Sequence, residues 1–183
     1  MQKIEVTKLD AGRRQLRTAI RLWFAEDDPV SIFSLAYASH EVIHTLHKNQ
    51  GGTHGLVFDS PAMTVNVQKI VTQGIKDWGN FLKHADRDPD KQIAFKPDIA
   101  ELLMLASAGT LQTLTNEIGA EEAALHFWFA AHNPDAFETL ENAEFLAVVR
   151  ADYQTKAEFW TYMRANWGTT ITWACGVSKR AGP

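Results

Sequence analysis

The chain has 183 residues, 45% of them hydrophobic and 22% charged, which suits one domain with a full core and excludes a disordered chain. Its formal charge of −4 argues against a broad basic surface that holds nucleic acid through phosphates alone. The charge is unevenly spread: residues 1–26 carry six Lys/Arg against three Asp/Glu, and residues 121–160 carry eight Asp/Glu against two Lys/Arg.

In chain order, the 3.6-residue periodicity predicts helices almost throughout. Asp10 is placed to cap a first helix to about Ala25, with Leu16, Ala19, Ile20 and Trp23 on its apolar side. Pro29 suits the first turn of a second helix running to about Asn49, and the stretch from Gly51 to Pro61 reads as a loop. A third helix is expected from Thr64 to Ala85, with Val67, Val71, Ile75, Trp78 and Leu82 inward, before Asp86-Arg87-Asp88-Pro89-Asp90 breaks the pattern.

A fourth helix is predicted from Pro97 to about Glu117, a fifth from Ala120 to Ala131, and a sixth from Asn142 to Asn166. Residues Thr169 to Trp173 alternate weakly and read as a short strand or an irregular segment. The fold class is therefore all-α, a single bundle of five to six helices. No apolar run reaches the ~18 residues of a membrane span. The start shows no secretory pattern, and the lone Cys175 fits a reducing compartment, so a cytoplasmic location without membrane contact is expected.

The second helix carries His40-Glu41-Val42-Ile43-His44, an H-E-x-x-H pattern, with His47 three residues on. At about 100° per residue the three histidines fall within roughly 60° of one another. That spacing lets two imidazoles share a zinc ion while Glu41 serves a bound water as general base. No downstream third ligand follows a zinc-peptidase spacing, and histidines at the margin of a helical core are common.

On the third helix Gln73, Asp77, Asn80 and His84 form a polar ladder at i, i+4, i+7 and i+11. If it faces the histidine stripe the two make a site; otherwise it is a polar seam that specifies packing. Arg13, Arg14, Arg17 and Arg21 cluster on one side of the first helix, placed to take phosphates or to pair with acids elsewhere. Asp86, Asp88 and Asp90 lack the glycine and bidentate glutamate of a calcium loop and read as a turn. His126-Phe127-Trp128-Phe129 reads as core or the lining of an aromatic pocket.

The stretch from Arg13 to about Leu114 resembles the HEPN (higher eukaryotes and prokaryotes nucleotide-binding) superfamily of small helical bundles. The residues that carry the resemblance are Ala36-Tyr37-Ala38-Ser39-His40-Glu41-Val42-Ile43 and Gly79-Asn80-Phe81-Leu82-Lys83-His84-Ala85. The second resembles the family's R-N-x-x-x-H motif near a helix end. The resemblance implies a HEPN-like core over about 10–117, followed by a C-terminal helical extension over 118–183. It also implies a homodimer that needs no cofactor and binds a nucleotide, RNA or a protein partner.

Asn80 and His84 match the motif, but Gly79 stands where its arginine belongs, and no arginine lies from Ile75 to Lys83. Arginine offers a scissile phosphate a planar donor fork that glycine lacks, so efficient RNA cleavage is not expected. His84 on this reading, and Glu41 as general base on the metal reading, are the candidate catalytic residues, with Asp77, Asn80 and the four arginines as candidate binding residues. The alternative is a metal-dependent hydrolase with His40, His44 and His47 on zinc.

Overall fold

The computed structural model describes residues 3–52, 65–84, 86–136 and 143–174. Among them the protein is all-α: α1 (Lys8–Phe24), α2 (Pro29–Asn49), α3 (Val65–Lys83), α4 (Ile99–Thr115), α5 (Ala120–His132), α6 (Ala143–Asp152) and α7 (Lys156–Ala174), with a single 3-10 turn at Pro134–Ala136. The chain divides into two compact units, Met1–Trp23 with Asp27–Ile118, and Phe24–Glu26 with Gly119–Pro183.

Helix starts follow local side-chain chemistry. The first helix begins earlier than Asp10: Thr7 is its N-cap, donating its hydroxyl to the Asp10 carboxylate at 2.6 Å and accepting from the Asp10 N–H at 3.1 Å. Asp10 instead closes the reciprocal half of the cap, three residues into the helix, and the Thr7 contacts pull its carboxyl pKa down. Asp28 caps α2 by accepting from the Ser31 N–H at 2.7 Å, and Pro29 occupies the first turn as expected. Just beyond the end of that helix Gly51 takes a φ of 84°, which is open to glycine at no steric cost.

In the first unit α2 packs along α4, and α3 rests on α2. The core is drawn from Leu16, Ala19 and Ile20 of α1, Phe33, Ala36, Tyr37 and Ile43 of α2, Ile75 of α3, and Leu103, Met104 and Leu111 of α4. In the second unit α5 packs on α6 and α7. There Phe24 stacks on Trp160 at 5.2 Å and meets Trp128 edge-on, while Phe127 meets Phe145 edge-on at 5.0 Å. Trp128 of the aromatic run is core, whereas Phe127 and Phe129 are only partly buried.

Two expectations need correction. The predicted sixth helix is two helices, because Thr155 and Glu158 form a second reciprocal cap that starts α7. Residues Thr169 to Trp173 are helical rather than strand or irregular, continuing α7 beyond a kink at Asn166 (φ −120°, ψ 16°). Cys175 and most of the loop expected between Gly51 and Pro61 lie outside the described residues.

Candidate functional site

The H-E-x-x-H residues separate because one helix serves two neighbours. His40 is 1% exposed and faces α4, where its Nδ1 lies 3.1 Å from Ser107 Oγ. The Ser107 hydroxyl donates to the Leu103 carbonyl at 2.7 Å, so its oxygen accepts from His40 and Nδ1 carries the proton. Burial, with a smaller contribution from His44, holds the His40 pKa down to about 3, so the ring is neutral. Serine beside histidine suggests a nucleophile and its base, but this hydroxyl is directed to a carbonyl and both side chains are sealed from solvent. The pair is a structural bridge between α2 and α4.

Glu41 takes the other direction. Its Oε1 accepts from the Tyr37 hydroxyl at 2.8 Å, and its Oε2 pairs with Lys83 Nζ of α3 at 3.2 Å. The Lys83 ammonium also sits 4.4 Å from the centre of the Tyr37 ring. Burial, then the Glu41 carboxylate, raises the Tyr37 pKa well above its ordinary value. Tyr37 itself is buried and stacks on Phe33 at 5.8 Å.

The same ring explains Gly79. A Cβ at that position would come within 2.6 Å of Tyr37 Cδ1 and Cζ, and closer still to Cε1. Gly79 is therefore the floor against which Tyr37 packs, and a glycine there lets α3 seat on α2. Trp78 completes the contact by donating its indole N–H to the Ala94 carbonyl at 3.1 Å and meeting Phe33 edge-on.

Among the described residues, the histidines and Glu41 proposed for a zinc site do not gather around one point. His40 and His44 stack with ring centres 5.8 Å apart, but Glu41 is engaged with Tyr37 and Lys83 on another side of α2. His47 packs close to Gly52 at the end of the helix. Among the described residues no three His, Cys, Asp or Glu side chains converge to hold a metal ion.

The α3 ladder does not turn toward the histidines. Gln73, Asp77 and Asn80 are exposed, with Gln73 donating to Asp77 at 2.7 Å, and His84 lies half-exposed 3.9 Å from Asp86. Asn80 and His84 remain near each other at the end of α3, where the Asn80 carbonyl accepts from the His84 N–H. Lys91 pairs with Asp88 at 3.2 Å in the turn that follows, which is a turn as expected.

The arginine stripe is partly committed. Arg13 approaches Glu117 at 3.8 Å, Arg21 donates to Thr18 at 2.9 Å, Arg17 and Arg21 have further partners, and Arg14 is exposed. No helix among the described residues is long and apolar enough to cross a membrane. No protein-family model, curated protein or solved structure matches the chain.

Sequence reasoning met Tyr37 and Lys83 only within the stretches that carry the resemblance and gave neither a functional role, and it did not reach Ser107. Tyr37 and Glu41 stand one turn apart on α2, a spacing that could have flagged their bond. The links from α2 to Lys83 and Ser107 join distant segments and leave no local signal.

Proposed function

We propose that the chain is a HEPN-like helical module that binds a protein partner and does not cleave RNA, with a second copy of itself as the partner that the resemblance implies. The observation that carries this reading is the Tyr37 ring packed on Gly79. It leaves no room beside Asn80 and His84 for the arginine that the resembled family uses in RNA cleavage, and α3 carries no arginine elsewhere to replace it.

The solvent face of α3 supports binding rather than catalysis. Ile70 is 72% exposed there, beside Lys69, Gln73 and Asp77, along an open groove of about 780 Å³. A mixed face with an exposed isoleucine and an aspartate suits a protein surface better than a chain of phosphates. The zinc-hydrolase alternative draws less support, because Glu41 is held away from the histidines by Tyr37 and Lys83.

Sedimentation equilibrium of the full chain tests the reading. The expected result is a species heavier than the 20.5 kDa monomer that Ile70→Glu shifts toward monomer. A persistent interface buries on the order of 1,000 Å² or more, so one inserted charge at its apolar point should weaken it measurably. A monomer at all concentrations would contradict self-association, and a heavy species indifferent to Ile70→Glu would remove α3 from the interface.

A further inference from the structure

The two halves of α3 are built differently. From Val65 to Gly74 none of the described side chains is buried: Val65, Asn66, Lys69, Ile70 and Gln73 are exposed, and Gln68, Val71 and Thr72 are only partly covered. From Ile75 onward the helix is fixed, by Ile75 in the core, Gly79 beneath the Tyr37 ring, the Trp78 indole on Ala94, and Lys83 on Glu41. The change from one half to the other falls at Gly74.

Gly74 has no packing reason to be glycine. A Cβ there would meet nothing within 4 Å, in contrast to Gly79, where Tyr37 forbids one. Glycine in a helix interior gives up helix propensity because the unfolded backbone has more freedom to lose. The Thr72 hydroxyl, two residues earlier, is shielded from solvent without a hydrogen-bond partner, and opening the helix would hydrate it.

We infer that residues 65–73 form a separately opening segment of α3, hinged at Gly74, while residues 75–83 stay locked to α2. Local opening takes place where few apolar contacts resist it, and a glycine at the boundary uncouples the two halves of the helix. The segment carries Ile70, so α3 presents an adjustable half beside a fixed one. The opening is a property of the single chain, so it is tested at a dilution where the full chain sediments as a monomer, free of the self-association proposed through Ile70.

Native-state amide hydrogen exchange on the full chain, resolved by residue, tests it. In the wild type the hydrogen-bonded amides up to Gly74 are expected to exchange at least tenfold faster than those of 79–83, with a step at Gly74. Gly74→Ala should slow exchange in the first half about fivefold, the effect of the helix-propensity difference, and leave the second half unchanged. A smooth gradient from the helix start would be ordinary end-fraying and would overturn the hinge. Equal protection along α3, or slowing of both halves together by Gly74→Ala, would show one cooperative helix and overturn the inference as well.

Discussion

Replacing Gly79 with alanine adds one methyl group, and the structure gives that methyl nowhere to go. Its carbon would lie 2.6 Å from two atoms of the Tyr37 ring. The ring is held in turn by stacking on Phe33, by the hydroxyl bond to Glu41 and by the Lys83 ammonium. Relief requires either that α3 lift from α2 or that Tyr37 turn and lose Glu41. Overpacking of this kind costs about 1–3 kcal/mol. A lost hydrogen bond adds roughly 1 kcal/mol. Alanine returns about 1 kcal/mol of helix propensity. The net expectation is a loss of about 2 kcal/mol, or a Tm lower by roughly 4–8 °C for a chain of this size.

The assay is thermal unfolding followed by circular dichroism, run as a cycle with Tyr37→Leu. In the Tyr37→Leu background the ring edge is gone, so Gly79→Ala should become neutral or stabilising. A Gly79→Ala protein as stable as the wild type, or a cost that persists without the ring, would refute the packing explanation of Gly79.

The bridge between α2 and α4 yields two further expectations. Ser107→Ala leaves the His40 Nδ1 proton buried without its acceptor and should cost about 1–3 kcal/mol in chemical denaturation, whereas a neutral result would mean that the bond contributes nothing. Burial lowers the folded-state His40 pKa to about 3 from an ordinary 6.5, so between those values the unfolded chain binds more protons. This contribution to stability is therefore fully present above pH 6.5 and is lost as pH falls toward 3. Denaturation midpoints from pH 7 to 4.5 should fall less steeply in His40→Leu than in the wild type, and parallel curves would show that His40 is not buried neutral. Added zinc should leave the Tm of the wild type unchanged, and a rise that His44→Gln abolishes would restore the metal reading.

Much of the fold was legible because an amphipathic helix repeats its burial pattern in sequence. The placement of α2, α4 and α5 follows from Pro29, from the Leu/Ala run after Asp98 and from Asn133-Pro134. The boundaries that were misread turn on capping chemistry. Thr7 with Asp10, and Thr155 with Glu158, each show threonine followed three residues later by an acid, and either pair could have marked its helix start.

The candidate site was less legible, since it depends on which way neighbouring side chains on α2 point. His40 and Glu41 are adjacent in sequence, yet one is sealed against Ser107 and the other reaches Lys83. Only the packing of α4 and α3 on α2 decides that division. Gly79 likewise reads in sequence as a lost arginine and in the fold as the seat of an aromatic ring.

The most direct test of a non-cleaving module is an assay of single-stranded RNA cleavage with chelator present, comparing the wild type with His84→Ala. Loss of one electrostatic contact in an active site typically lowers the rate by ~10²–10³, and its absence from both protomers of a dimer lowers it further. Cleavage at background level by both proteins is the expected result. Robust cleavage by the wild type that His84→Ala abolishes would contradict it, and would mean that another group, such as the exposed Arg87 after α3 or Arg14 of α1, stands in for the missing arginine.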